Sequence, residues 1–299
     1  MELADLTARA RRLGASLEPF AGQVYFSPEC HHAYESLGFD PSPRTIAGGV
    51  QAPDGPAYFC SRGSVMGQVE GEVIAAAFAV FNPDAVVPSV RFGWSVTDAR
   101  TIEAARTQGS IGQLTRILGA EPEGVARVVE LLGRATAPLR PEGRPLYAGL
   151  LAQGRLATPL GDAWRLADRL REFRGDAHTA AWTSAGFDAV EIGLLTELYW
   201  GLPMNSYVRT RAWTAEQISA GQERLRGRGL VEGDGFSDQG RAEREAVEVA
   251  TDRQLRPAIE ALGDDFDELV EILRPWNVAI RQAGGYLPTG PHELAGLTR

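Results

Sequence analysis

The chain has 299 residues, 44% apolar and 23% charged, with a formal net charge of −9. That is enough for one large or two medium globular domains, each able to bury a core. No apolar run is long enough to span a bilayer, and the acidic balance argues against affinity built on neutralising phosphates.

The first residues, Met1-Glu2-Leu3-Ala4-Asp5, carry acids and lack a signal-peptide core, so a cytoplasmic protein is expected. All 30 basic residues are arginine, the coding bias of a GC-rich genome. The two cysteines, Cys30 and Cys60, read as free thiols. No CxxC, HExxH, EF-hand or P-loop pattern occurs, and no GxGxxG follows a strand, so no cofactor is expected. Cys30-His31-His32 has no second half-site at ligand spacing, so no metal is expected either.

In chain order, periodicity predicts a first amphipathic helix from Leu6 to Leu17, ending near Glu18-Pro19. Residues 41–56 are rich in proline and glycine and read as a long loop. An apolar helix from Glu70 to Phe81 is expected to stop at Asn82-Pro83, with Asn82 as a left-handed C-cap. Helices follow over Thr97 to Gln108, Pro122 to Thr136, Gly161 to Phe173 and Asp188 to Trp200. Thr214 then reads as an N-cap with Gln217 completing a capping box, and Trp213 and Ile218 stand at the positions of a hydrophobic staple. That helix ends in Arg226-Gly227-Arg228-Gly229, and Glu232-Gly233-Asp234-Gly235-Phe236 has hairpin composition. Ser237 to Gly240 reopens a helix running to about Leu255. The tail after Gln282 is expected to pack irregularly or fray.

Helix, short turn, capped helix, Gly-rich hairpin and long helix resemble a MarR-type winged helix. The wider chain resembles an actinobacterial helix-turn-helix family, a label that implies a fold and no particular activity. The residues carrying that resemblance are Glu18-Pro19-Phe20, Tyr25-Phe26, Tyr58 to Arg62, Phe81-Asn82-Pro83 and Arg171 to His178, with the winged segment.

Sliding the sequence on itself by 119 residues sets Gly67 on Gly186, Glu72 on Glu191, Trp94 on Trp213, Val128 on Val247 and Pro138 on Pro257. Ser95 then meets Thr214, as if the staple and cap recurred. The expected fold is therefore mainly α, with tandem winged-helix-like units forming a pseudodimer with short β-hairpin wings. The division expected is a degenerate unit over residues 1–150, a winged unit over 151–282 and an irregular tail over 283–299.

In such folds the second helix of the pair reads the major groove and the wing touches the backbone. Opposite the apolar stripe of Ile218 and Leu225 stand Glu216 and Glu223, and the wing tip carries two acids. From Phe187 to Leu262 there are thirteen acids against nine arginines, which disfavours DNA as a partner.

Arg171 to His178 is the densest ionisable stretch. On a helix Glu172 and Asp176 share one face, and Arg171, Arg174 and His178 share the adjacent one. Gly175 suggests a bend between them. Here His178 with Asp176 offers general acid–base chemistry, Glu172 adds a second carboxylate, and Arg174 can orient an anionic group. The plainer reading is a salt-bridged helix face at a domain junction. Tyr25, Phe26, Tyr58, Phe59, Phe81, Tyr199 and Trp200 supply aromatic walls for a pocket, with Arg62 and Asn82 as its polar groups; otherwise they are core.

These features point to a small-molecule-binding protein on a repurposed winged-helix scaffold, extending to an enzyme of specialised metabolism. The alternative is a MarR-like ligand-responsive transcriptional regulator binding DNA. A third reading is an interaction module without chemistry. No membrane partner is expected, and the assembly would be a monomeric pseudodimer or a homodimer.

Overall fold

In the computed structural model, which describes residues 1–288, helices follow one another, with longer links over residues 37–54 and 200–214. The body opens with α1 (Leu3–Gly22), α2 (Pro28–Ser36), α3 (Gly55–Gly63), α4 (Gly71–Phe78) and α5 (Pro83–Val96). It continues with α6 (Ala99–Leu118), α7 (Val125–Thr136), α8 (Pro145–Ala152) and α9 (Pro159–Ser184). Then come α10 (Ala189–Tyr199), α11 (Ala215–Gly227), the strands β1 (Val231–Glu232) and β2 (Gly235–Phe236), and α12 (Asp238–Gln254). The described chain closes with α13 (Arg256–Leu262) and α14 (Phe266–Gln282).

Side-chain caps set many of the starts. Ser27, Asp54, Asp98 and Thr158 each accept a backbone N–H three residues on, opening α2, α3, α6 and α9. Asn82 belongs to the same class: it accepts the N–H of Asp84 and opens α5, with Pro83 at the first helical position. The expected role as C-cap of the preceding helix is corrected. That helix stops at Phe78, and Ala79, at φ +51, makes the turn. Pro19 does not end α1 either. It lies in the last turn, and the helix continues because Phe20 and Ala21 are fully buried there. Burial of such side chains is worth about 2–3 kcal/mol for an aromatic, comparable to the cost of an internal proline.

The 26 residues of α9 form one helix, uninterrupted at Gly175, where the sequence suggests a bend. The charged stretch therefore lies along a single helix. That helix reaches both hydrophobic cores. The larger core draws on α1 to α8, on α9 as far as Phe173, and on α13, α14 and Tyr286. The smaller one holds Ala181 and Trp182 from the end of α9 with residues of α10, α11, β1 and α12. The seam between cores thus falls within α9 rather than at residue 150, and α13 and α14 return to the first core. Tyr286, expected in a fraying tail, is 3% exposed and stacks edge-on to Phe26 at 5.5 Å. Residues 289–299 of that tail lie outside the described residues.

The segment from α10 to α12 follows its local signals closely. Asp188 with Glu191 and Thr214 with Gln217 both form complete capping boxes. A Cβ on Gly221 would stand 2.5 Å from Val190 Cγ1, so glycine lets α11 pack against α10. At Gly240 a Cβ would stand 1.9 Å from the Leu230 carbonyl oxygen, where α12 crosses the start of the hairpin. Strands β1 and β2 pair antiparallel, Val231 opposite Phe236.

No second hairpin stands at the matching position: the link from α6 to α7 is a turn, and the other antiparallel pairing is an isolated bridge, Thr45 opposite Gln51, in the loop before α3. The expected recurrence of the cap also fails. Ser95 lies inside α5, where its hydroxyl bonds the Phe92 carbonyl, and the N-cap of α6 is Asp98.

Candidate functional site

A cavity of about 1010 Å³ lies between the helical body and the segment from α10 to α12. Three kinds of wall enclose it. Aromatic side chains come from the body, a row of charged residues from α9, and α10 with the following segment closes the far side. The loop before α3, with Arg44 and Ile46, forms part of the rim together with Tyr286 and Leu287.

Of the aromatic residues singled out in the sequence, Tyr25, Phe26, Tyr58, Phe59, Phe81 and Trp200 line this cavity. Tyr58, Phe59, Phe78 and Phe81 form one cluster, with ring centroids 5.2–6.2 Å apart in mostly tilted or edge-on pairs. Such geometry is the favourable one for aromatic quadrupoles. Asn82 and Tyr199 are not among the lining residues. The Asn82 amide donates to the Ala212 carbonyl at 3.0 Å and to Gln217 Oε1 at 3.2 Å, tying α5 to the start of α11. Tyr199 donates to Glu245 at 2.7 Å beneath the Arg244 guanidinium.

Arg62, Glu172, Arg174, Asp176 and His178 also line the cavity, but their partnerships differ from the expected ones. Glu172 is 2% exposed and accepts from Arg62 Nη2 at 2.7 Å, Arg171 Nη1 at 2.8 Å and Tyr25 Oη at 3.0 Å. Burial opposes charge on this carboxyl, yet Arg62 and Arg171 hold it down at about 2. Glu172 is thus a fixed anion at the centre of a network, ill suited to move a proton. Arg171 reaches on to Glu18, which also accepts from the Tyr286 hydroxyl at 2.8 Å.

Arg174 is committed as well. It donates to Glu248 of α12 at 3.0 Å, and Arg244 meets the same carboxylate at 2.8 Å. Despite burial, Arg244, His178 and Arg174 hold Glu248 far below the usual carboxylate range. The charge expected to orient a substrate is thus consumed within the protein.

His178 and Asp176 do not serve each other. His178 Nδ1 lies 3.1 Å from Thr251 Oγ1, whose own proton goes to the Val247 carbonyl at 2.8 Å. The threonine oxygen can therefore only accept, so Nδ1 carries the imidazole proton and Nε2 is the acceptor nitrogen. Burial lowers His178 to about 4 despite Glu248, with Arg244 and Arg174 adding to the effect. The ring is neutral at ordinary pH. Asp176 accepts the Tyr147 N–H at 3.0 Å, anchoring the start of α8. Burial pushes it up to about 7; the Tyr147 amide opposes that rise and the Glu172 charge adds to it. It is the lining carboxyl best placed to hold a proton near neutrality.

Sequence reasoning passed over the residues that complete the site. Arg171 was visible in the charged stretch, and Arg244 with Glu248 forms an i, i+4 pair on α12. Arg211 gave no signal. Its guanidinium lies over the Tyr207 ring at 4.2 Å and the Phe81 ring at 4.8 Å. Glu197 positions this segment: fully buried, it accepts the N–H groups of Asn205, Tyr207 and Val208 at 2.6–2.8 Å. Burial raises the Glu197 carboxyl, against those three amides.

The exposed face of α11 differs in character. On α11 Glu216 and Glu223 are exposed, as expected. The three arginines at its end are all paired: Arg224 with Asp188 and Glu191, Arg226 with Glu223 at 2.7 Å, and Arg228 with Glu191 at 3.1 Å. Phosphate contact would have to compete with these carboxylates. Among the described residues no helix is long and apolar enough to cross a membrane, and no three His, Cys, Asp or Glu side chains gather as a metal site.

A family described as a helix-turn-helix family matches residues 10–288, nearly the whole chain, and the protein belongs to it. No curated protein and no solved structure matches.

Proposed function

We propose that this helix-turn-helix family member is a small-molecule-binding protein that holds its ligand between the helical body and the winged segment. The observation that carries this reading is the cavity of about 1010 Å³, with its aromatic cluster on one wall and buried ion networks on another. Ligand sites are typically concave, mostly apolar and of this size class. Six arginines face four carboxyl groups among its lining residues, within a chain of net charge −9. That local excess of positive charge favours an electron-rich or anionic guest.

The test uses a neutral apolar fluorophore, N-phenyl-1-naphthylamine, titrated into the full chain. Saturable one-to-one binding that disappears in Thr196→Trp, which fills the α10 wall, supports the reading. No saturable binding, or binding undiminished by that substitution, overturns it. A catalytic extension would use His178 Nε2 as proton acceptor and Asp176 as donor, in specialised metabolism. Loss of turnover in His178→Ala with ligand binding retained is its signature.

The second reading is a MarR-like ligand-responsive regulator. The order α10, α11, hairpin, α12 favours it, as does the wall that α10 shares between the cavity and α11. Retardation of its own upstream DNA at low salt, lost in Arg226→Glu, would favour this reading over the first. Duplicated, pseudodimeric ancestry belongs with either proposal, since the offset of 119 residues sets α4 against α10 and α7 against α12. So do an actinobacterial source and a cytoplasmic setting.

A further inference from the structure

Arginines on the cavity wall differ in one respect that decides what they can bind. Arg62, Arg171, Arg174 and Arg244 each lie within 3.0 Å of a carboxylate of the protein. Arg44 sits on the exposed loop, where water solvates it. Arg211 is half-buried and has no carboxylate partner among the described residues; its Nε is buried without any hydrogen bond. The Tyr207 and Phe81 rings lie against its guanidinium, with centroids 4.2 and 4.8 Å from Cζ. The N–H groups of a guanidinium form a fork matched to a planar oxyanion.

From this we propose that Arg211 is the anion-binding residue of the cavity and that its ligand is an apolar molecule carrying a carboxylate. The assignment rests on the cavity being a ligand site and specifies what the site selects. Phe81 belongs at once to the ring stack on Arg211 and to the aromatic cluster with Tyr58, Phe59 and Phe78. A guest with its carboxylate on Arg211 therefore has its hydrocarbon portion beside that cluster. A carboxylate also supplies the counter-charge that a partly desolvated cation lacks.

Occupation of Arg211 reaches the winged helix by the shortest route in the chain. The Arg211 carbonyl accepts the Asn82 N–H at 2.9 Å. The next residue, Ala212, is held at φ +63, a left-handed conformation that costs a residue with a Cβ about 1 kcal/mol or more. Trp213 follows, its indole donating to the Val80 carbonyl at 2.9 Å, and Thr214 is the N-cap of α11. Three residues separate the anion site from the helix that would face DNA.

Isothermal titration of the full chain with 1-naphthoate and with the neutral 1-naphthalenemethanol tests the assignment. Wild type should bind the carboxylate at least about tenfold more tightly, the scale of a charge-assisted bidentate contact. Arg211→Met should abolish that preference and keep the alcohol, whereas Arg174→Met should keep the preference. Equal affinities in wild type, or a preference that survives in Arg211→Met, overturn the role of Arg211 while leaving the cavity reading intact. Binding of neither compound overturns both. The comparison within wild type stands even if a variant misfolds.

Discussion

Replacing Asp176 by asparagine tests whether the cavity wall stores a protonated carboxyl. Asp176 is 4% exposed, and burial moves its pKa from the ordinary 3.8 to about 7. The folded protein then holds this proton more tightly than the unfolded chain does. Its contribution to stability is complete below about pH 4 and drains away as pH rises towards about 7. At about 1.4 kcal/mol per pKa unit, the loss between about pH 5 and about pH 8 comes to about 2–3 kcal/mol. Asparagine still accepts the Tyr147 N–H and has no proton to release. Its stability relative to the parent should therefore climb by about 2–3 kcal/mol across that window. Urea unfolding at matched ionic strength reads the difference directly. Glu172, held at about 2, titrates below the window, and His178, lowered from 6.5 to about 4, contributes equally in both proteins and cancels. Asp252, pushed up to about 6, titrates in both proteins and cancels. A stability difference that stays flat with pH refutes the reasoning.

Further outcomes follow from packing and caps. Gly240→Ala places a Cβ 1.9 Å from the Leu230 carbonyl oxygen, so α12 and the wing must part; a large fall in melting temperature is expected, and an unchanged one counts against that close approach. Thr214→Ala removes one half of the capping box and should cost about 1 kcal/mol in chemical denaturation, with most of the loss recovered in Thr214→Ser. Burial pushes the Cys30 and Cys60 thiols up to about 12. Ellman's reagent should therefore leave both untouched in the native protein at about pH 8 and modify two thiols on unfolding; rapid native labelling would contradict their burial.

Local chemistry was the legible part of this chain. The Thr214–Gln217 box, the Gly-rich hairpin and the Ser237 cap specify their structures within a few residues, and each stands where the sequence puts it. Proline and asparagine misled wherever a tertiary contact decided the outcome. Buried Phe20 carries α1 past Pro19, and Asn82 faces forward into α5 because its amide is needed at Ala212. The aromatic and ionisable residues singled out in the sequence largely line one cavity, and the ionisable ones form a row there because α9 is one uninterrupted helix. Their partners were not legible. Arg174 and Arg211 look alike in sequence; among the described residues one faces Glu248 and the other faces no carboxylate, and the packing of α12 against α9 makes that difference.

The path of the chain through its two cores has a consequence for the order of synthesis. The smaller core is complete once α12 has been made, because Val247 is its last buried apolar residue. The larger core still lacks α13 and α14, which supply Leu262, Phe266, Leu269, Leu273 and Trp276 and pack against α7 and α1. On the ribosome, the residues of the smaller core are therefore all present while the larger core still lacks its last helices. Domains generally fold as units in the order they emerge. By that rule the segment from the end of α9 to α12 can close first, with α9, which belongs to both cores, joining it to the part that α14 completes.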